Sequence, residues 1–387
     1  MSIHEKFMRE ALALARKGCG WSSPNPMVGA LVVKAGKVVG RGWHPYYGGP
    51  HAEVVALFNA GRKAQGATLY VTLEPCAHRG KTPPCVDAIR EAGVKTVVLG
   101  ARDPNPLAAG GVELLRRGKV KVVLEELEPV CRRANAPFFK HVRTGLPFVT
   151  AKWAMTLDGK IATAQGDSQW ITAPRARAFA HSLRGQHDAV LVGIGTVLHD
   201  APLLTCRFGL LGPAEHVWQP RRVVLDSQAR MPLDAPLWTA PNGGPILIVV
   251  SAEAPLERVQ ALQDKGAEII NLVPEGGRPP VQKALDALAK RGVTSLLVEG
   301  GAEVLGSFLD ARLVDRAYVF VAPKIAGGRG ALSAVAGQGV ERIRDASELR
   351  AMYVRKLGPD LLLAGRLGDW AWLEPAGKKL RTKAGKR

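Results

Sequence analysis

Apolar residues recur at two different spacings along the chain, and the spacing changes from one short segment to the next. Ile3, Phe7 and Ala11 repeat at helical intervals, whereas the apolar runs at 30–33 and 67–73 are short enough to be strands. A turn leads from the first strand into a return strand, and further strands alternate with helices. This alternation predicts an α/β domain built around a largely parallel sheet.

The same kind of pattern restarts after a short polar stretch, with no long flexible linker. Apolar strands such as 189–192 and 296–298 run into glycine-rich loops, which again indicates an α/β arrangement. The chain therefore predicts two α/β domains, at 1–145 and 146–368. A basic tail follows at 369–387, and we expect it to be disordered.

Composition narrows the class of protein. Hydrophobic side chains make up 47% of the 387 residues, but no apolar run approaches the roughly 20 residues of a membrane span. The N-terminal helix carries acidic residues and lacks a signal-peptide core, and five cysteines imply no disulfide framework. We therefore expect a cytoplasmic protein with no membrane partner.

The charge is strongly basic. Lys and Arg number 53 against 34 Asp and Glu, a net charge of +19, which favours phosphate-bearing ligands or nucleic acid. The sequence has no basic stripe interleaved with aromatic side chains of the kind that stacks bases. Solvated, arginine-rich surfaces explain the excess charge as well, and we expect no nucleic-acid partner.

The strongest chemical signal is one histidine followed by two cysteines. His51, Cys76 and Cys85 supply one imidazole and two thiols, three of the four ligands of a tetrahedral zinc ion. A fourth position left for water is the arrangement of a catalytic site, and zinc lowers the pKa of bound water to about 7. Glu53 lies two residues after the histidine, where zinc deaminases keep a proton-shuttling carboxylate that does not bind the metal.

Two features keep other readings of this segment open. Eight residues separate Cys76 from Cys85, whereas the general deaminase signature has two, and His78 lies inside that insert as a competing ligand. A structural zinc knot would need a fourth protein ligand. Free buried cysteines are the remaining alternative, and the clustering argues against them.

A second, weaker signal lies in the second domain. Gly193-Ile194-Gly195 and Glu299-Gly300-Gly301 each follow an apolar strand, where glycines let backbone N–H groups approach a phosphate. Neither is the full dinucleotide-binding fingerprint. Ordinary tight turns explain the same pattern.

Taken together, these motifs resemble the bifunctional deaminase–reductases of riboflavin biosynthesis, over roughly residues 5 to 365. The eight-residue cysteine spacing is this family's own. The motifs are Asn25-Pro26, Pro50-His51-Ala52-Glu53, Glu74-Pro75-Cys76 through Cys85, Asp103-Pro104-Asn105-Pro106, Leu157-Asp158-Gly159-Lys160, Ser168-Gln169-Trp170-Ile171-Thr172, Thr196-Val197-Leu198, Asp226-Ser227, Val298-Glu299-Gly300-Gly301 and Ala322-Pro323-Lys324.

The resemblance implies a cytidine-deaminase-like first domain and a dihydrofolate-reductase-like second domain that uses NADPH. The implied substrate is a phosphorylated pyrimidine, a diaminopyrimidine bearing a phosphoribosylamino group. The first domain would replace a ring amine by oxygen. The second would reduce the ribose of the product, in its open imine form, to a ribityl chain. Such proteins also assemble into dimers or tetramers, so a homo-oligomer is expected here.

The resemblance also assigns residues, by matching motif positions. His51, Cys76 and Cys85 would hold zinc, and Glu53 would move protons. Substrate contacts in the first domain would be Asn25, His44, Lys81, Asp103 and Asn105. NADPH contacts would be Ala154, Trp170, Thr196, Asp200, Ser227 and Gly301. Substrate contacts in the second domain would be Ser168, Arg184, Leu204, Arg207 and Glu299.

Several of these positions have ordinary structural explanations. Ser168 caps a helix equally well, and Trp170 is more often a core residue than a cofactor platform. Asp200-Ala201-Pro202 departs from the Asp-Asp-Pro of the family. Lys152 is a further hypothesis, as a proton donor in the second domain.

Two other function classes compete with the bifunctional enzyme. A nucleic-acid-editing deaminase would share the zinc motif and the positive charge, but it would bind RNA in a salt-sensitive way and would not bind NADPH. In a non-catalytic zinc scaffold, the substitution Glu53→Gln would change nothing.

Overall fold

The computed structural model describes residues 2–78, 83–124, 126–207 and 217–374. They form two compact units, one made of residues 2–145 with 370–374 and the other of residues 146–369. Among the described residues, no helix is both long and apolar enough to cross a membrane.

The first unit contains a five-stranded sheet with the strand order β2-β1-β3-β4-β5. Its strands are β1 (Gly29–Lys34), β2 (Lys37–Trp43), β3 (Thr68–Leu73), β4 (Thr96–Ala101) and β5 (Lys121–Val123). Its helices are α1 (Ile3–Ala15), α2 (Ala52–Ala60), α3 (Cys85–Glu91), α4 (Gly111–Arg117), α5 (Glu128–Ala134) and α6 (Ala136–Thr144). Side chains such as Leu69, Ile89 and Leu99 are fully buried in its core.

This sheet is mixed, so the prediction of a largely parallel sheet is wrong for half of it. Strand β1 runs antiparallel to both β2 and β3, and only the β3–β4 and β4–β5 pairs are parallel. Ala35 and Gly36 both have positive φ, 47° and 74°, in the two-residue turn that sends β2 back along β1. Helices α5 and α6 were not predicted, because Asn135 separates them and each helix is too short to show a clear helical repeat of apolar residues.

The second unit contains a nine-stranded sheet with the order β10-β9-β8-β7-β11-β6-β12-β14-β13. Its strands are β6 (Phe148–Thr156), β7 (Ala189–Gly193), β8 (Arg221–Leu225), β9 (Ile246–Ser251), β10 (Glu268–Leu272), β11 (Ser295–Gly300), β12 (Arg316–Ala322), β13 (Arg350–Leu357) and β14 (Asp360–Arg366). Its helices are α7 (Pro174–Arg184), α8 (Ile194–Asp200), α9 (Leu256–Asp264), α10 (Val281–Ala289) and α11 (Ala302–Asp310).

In this order, all neighbouring strands from β10 through β12 pair in parallel. The two remaining pairs, β12–β14 and β14–β13, are antiparallel. The predicted α/β class is therefore confirmed, with the parallel part covered by apolar cores on both faces. Strands β10 and β13 lie at the two sheet edges and carry many exposed side chains. Such edge strands lack the continuous apolar run that identifies a buried strand.

Part of the C-terminal segment is ordered, although the sequence predicts disorder there. Residues 369–387 were expected to form a disordered tail, but Ala371–Leu373 form a 3₁₀ turn that packs in the first unit. Trp370 and Leu373 are buried there, because removing large apolar side chains from water lowers the free energy of the folded chain. The rest of the expected tail, residues 375–387, lies outside the described residues.

Candidate active sites

His51, Cys76 and Cys85 come together in the first unit. His51 Nδ1 lies 3.1 Å from Cys85 Sγ and 3.5 Å from Cys76 Sγ, and all three donor atoms lie within 4.8 Å of one another. In the described part of the chain, His78 does not belong to this group. One imidazole and two sulfurs at these separations form a three-ligand set suited to zinc, with one tetrahedral position left over.

Tight packing of α2 on the sheet fixes the histidine. His51 is the N-cap of α2, and a Cβ added to Gly42 of β2 would lie 2.2 Å from the Ala52 carbonyl oxygen. Only glycine therefore permits the helix to approach this closely. Cys85 is the first residue of α3, and its N–H donates to Cys76 Sγ at 3.4 Å.

Glu53 lies in the first turn of α2 and is 3% exposed. Burial raises the pKa of its carboxyl to about 7, and the nearby Cys76 adds to that shift. A thiol hydrogen bond from Cys85 is the main cause that lowers the pKa of Cys76 to about 4. The group therefore combines a thiolate with a carboxyl that can hold or release a proton near neutral pH.

A cavity of about 250 Å³ opens beside this group. Its walls include His51, Glu53 and Cys76, and also four of the predicted substrate contacts, which are Asn25, His44, Asp103 and Asn105. The fifth predicted contact, Lys81, lies outside the described residues.

Hydrogen bonds fix the side chains on one wall of this cavity. His44 Nδ1 lies 3.0 Å from the Pro50 carbonyl, so Nδ1 carries the proton and Nε2 accepts from the Asn25 amide at 3.1 Å. Burial lowers the pKa of His44, which keeps the ring neutral. The Asn25 amide nitrogen therefore faces His44, and the amide oxygen is not used in this contact.

Another part of the cavity lining depends on Glu74, a residue whose role the sequence did not suggest. Its buried carboxylate accepts from the backbone N–H groups of Asp103, Gly110 and Val112 at 3.0–3.3 Å. This holds the loop that carries Asp103 and Asn105 against the cavity. Burial raises the pKa of Asp103 to about 7.

In the second unit, the predicted substrate contacts Arg184 and Glu299 form a buried pair. Arg184 Nε and Nη2 donate to the two carboxylate oxygens of Glu299 at 2.7 and 2.8 Å, and Nη1 donates to the Thr205 carbonyl at 3.0 Å. Burial alone would raise the pKa of Glu299, but the charges of Arg184 and Lys152 outweigh it and lower the pKa to about 2. The pair stays ionised at any working pH.

Other predicted residues of this unit form contacts with one neighbouring side chain each. Ser168 Oγ donates to Asp200 Oδ1 at 3.1 Å, and a side chain added to Gly301 would contact the Thr196 hydroxyl at 3.6 Å. Arg207 Nη2 lies 2.9 Å from His181 Nε2.

Trp170 is 61% exposed, and two cations fix it in place. Arg177 lies 4.3 Å over its ring, and Lys324 Nζ donates to its carbonyl at 2.6 Å. An indole that is exposed to solvent can stack on a planar ligand ring.

Comparisons with known proteins agree with this picture. A family model described as the RibD C-terminal domain matches residues 147–363, and one described as the cytidine and deoxycytidylate deaminase zinc-binding region matches residues 1–101. The riboflavin biosynthesis protein RibD of Aquifex aeolicus is 44% identical over 362 residues, covering 93% of this chain and 98% of that protein.

The chain belongs to the RibD family.

It is therefore a deaminase and a reductase of riboflavin biosynthesis, as the motifs predicted. The Escherichia coli RibD is 39% identical, over 93% of this chain and 98% of that protein. Two solved structures are 36–38% identical to this chain, and each alignment covers 95% of this chain and 99% of the solved chain. They are Acinetobacter baumannii RibD, with a TM-score of 0.85, and a Thermotoga maritima diaminohydroxyphosphoribosylaminopyrimidine deaminase/5-amino-6-(5-phosphoribosylamino)uracil reductase, with a TM-score of 0.82.

Not every predicted RibD-family contact is brought to a site. Leu204 is buried in the core with a φ of 53°, so its side chain faces the core. Ala154 packs against the same core, and the Ser227 carbonyl accepts from the Ser251 N–H at 3.0 Å. The cofactor contacts at Ala154 and Ser227 stay predictions.

Some site residues of this RibD-family chain were missed. Tyr47 and Phe138 line the deaminase cavity, and Arg177, His181 and Lys324 surround the predicted reductase contacts. Phe138 comes from α6, far along the chain from the zinc motif. Nothing in its local sequence distinguishes it from a core phenylalanine.

The Arg184–Glu299 pair yields a stability prediction. Glu299→Gln leaves the Arg184 side chain, which is 14% exposed, without its carboxylate, and we expect a loss of about 3 kcal/mol in the free energy of unfolding. Glu303→Gln is the control, since its pair with Arg278 is exposed and should contribute less than about 1 kcal/mol. Denaturant unfolding measures both, and equal effects of the two substitutions would contradict the prediction.

Proposed function

We propose that this chain deaminates diaminohydroxyphosphoribosylaminopyrimidine in its first unit and reduces 5-amino-6-(5-phosphoribosylamino)uracil with NADPH in its second. The observation that carries the first activity is the group of His51, Cys76 and Cys85 at the cavity, with the buried Glu53 beside them in the cavity lining. Two solved relatives that match the chain almost end to end support the pairing of the two activities.

His51, Cys76 and Cys85 would hold zinc, since their donor set and separations fit it. When bound, zinc supplies a water of lowered pKa at neutral pH. Glu53 would accept a proton at its carboxylate from the attacking nucleophile and return protons to the ring nitrogen and to the departing amine. Burial disfavours the charged carboxylate, so a proton that Glu53 has taken up is held by a neutral carboxyl that can pass it on.

Around this group, the cavity walls would recognise the pyrimidine and its phosphate. Asn25, fixed by His44, offers an acceptor to a ring N–H or amine. Asp103, Asn105 and Lys81 would contact the ribose and phosphate. The cavity is lined by polar and apolar side chains in the mixture that small-molecule sites use.

In the second unit, Ser168, Arg184, Arg207 and Glu299 would contact the substrate. The Arg184 guanidinium already donates to Glu299 and Thr205, so we assign the phosphate mainly to the exposed Arg207. Lys152 would hold a proton at Nζ for the nitrogen of the open imine, while NADPH supplies the hydride to the adjoining carbon. Burial lowers the pKa of Lys152, which makes it a better proton donor.

NADPH would lie near the starts of α8 and α11. Thr196 and Gly301 meet there, Trp170 offers a flat ring, and Asp200 fixes the Ser168 hydroxyl. Ala154 and Ser227 complete the proposed set. We further propose a homo-oligomer of two or four chains in the cytoplasm, without a nucleic-acid partner.

Purified protein tests the proposal directly. We expect about one zinc per chain, ammonia release from the diaminopyrimidine, and NADPH oxidation on the deaminated product. Chelation should remove zinc and ammonia release but leave NADPH oxidation, because the ligands are confined to the first unit. Salt-sensitive RNA binding without NADPH oxidation would favour the editing alternative instead.

A further inference from the structure

The chain returns to its first unit after completing the second. We call residues Trp370–Glu374 the C-terminal clasp, because they pack against α5 and α6. Trp370 and Leu373 are 6% and 8% exposed, and the rings of Trp370 and Trp372 stack at 5.3 Å. The clasp and both helices lie outside the residues that the two family models match.

Two arginines bind the backbone of the clasp. Arg132 of α5 donates to the Leu373 carbonyl at 2.9 Å, and Arg143 of α6 donates to the carbonyls of Trp372 and Glu374 at 2.7 and 2.6 Å. Both guanidinium groups also lie over the ring of Phe139, at 5.1 and 5.9 Å from its centre. Apolar burial and charge-assisted hydrogen bonds therefore hold the clasp together.

The same two helices also support the deaminase cavity. Phe138, next to Phe139 on α6, lines the cavity, and the two rings pack edge to face at 6.1 Å. Asn135, between α5 and α6, bonds to both backbone groups of Met27 at 2.8 and 2.9 Å. Met27 follows Asn25 and Pro26, which line the cavity as well.

From these contacts we propose that the C-terminal clasp is a positioning element of the deaminase site. It holds α5 and α6 so that Phe138 and the loop around Asn25 form the cavity wall that receives the pyrimidine. This inference rests on the proposed deaminase function, and it adds that the last described residues of the chain set the affinity of the first site. The zinc ligands and Glu53, which lie on α2, α3 and the loop after β3, make none of these contacts among the described residues.

The full chain carrying Leu373→Asp tests this, because a carboxylate cannot stay buried against the two helices. We expect the KM for the diaminopyrimidine to rise about tenfold and kcat to change less than about threefold, since substrate position is disturbed more than the reacting groups. Zinc content and NADPH oxidation on the deaminated product should not change. Leu373→Met should restore the KM, and a chain that ends at Glu374 should behave like the full chain.

Arg143→Met is a second route to the same result, because it removes two backbone contacts without burying a charge. An unchanged KM in both variants would overturn the proposal. Loss of zinc together with deamination would overturn it too, because the clasp would then support the whole unit rather than one wall. A full-length chain without any deamination would count against the proposed function, and that baseline separates the two hypotheses.

Discussion

Glu53→Gln is expected to lower kcat for deamination by about 10³-fold or more while leaving NADPH oxidation on the deaminated product unchanged. The amide keeps the shape of the buried side chain but cannot take a proton from water or return one to the amine. Zinc should stay bound, because Glu53 is not among the three donors that come together. Ammonia release, NADPH oxidation and zinc content, measured on the same preparation, check all three statements.

Glu91→Gln is the matched control for this substitution. It makes the same chemical change on an exposed side chain at the end of α3, in the same unit. Deamination by Glu53→Gln within tenfold of the parent would support the zinc scaffold instead. Equal loss of both activities would show that the two sites are not separate.

The zinc site was predictable because its chemistry is concentrated in short motifs. His51 and Cys85 stand at helix starts, and apolar residues follow each of them in the sequence, as Val54, Val55 and Leu57 follow His51. The four predicted substrate contacts that line the cavity came from the family resemblance. No pattern in the chain alone would bring Asn25 and Asp103 to one cavity, since strand order decides which loops meet.

Contacts between segments that lie far apart in the sequence could not be predicted. In the sequence, Glu74 is simply part of the cysteine motif, but in the fold its carboxylate holds the loop that carries Asp103. The many basic residues at the end of the chain predict disorder, although Trp370 and Leu373 are buried. Their burial depends on the surface that this segment contacts, which the local composition does not show. In the second unit, the glycines on both sides of Ile194 predict a loop, but α8 begins at Ile194 and includes Gly195.

Lys152→Met should produce the converse of the Glu53 result. Lys152 lies on β6, with its Nζ 5.8 Å from the centre of the Phe320 ring, and the charges of Glu299 and Arg184 both act on it. Methionine fills similar space without a proton to donate, so we expect kcat for reduction to fall about a hundredfold or more. The KM for NADPH and the rate of deamination should stay as they are.

Two measurements separate a proton donor from a merely structural lysine at this position. The pH profile of kcat for the parent should lose activity as Lys152 deprotonates, at a pH below the usual lysine range because burial lowers its pKa, and Lys152→Met should lack that limb. Lys356→Met, on an exposed position of β13, should keep both the rate and the profile. If the alkaline limb persists in Lys152→Met, the proton comes from another group.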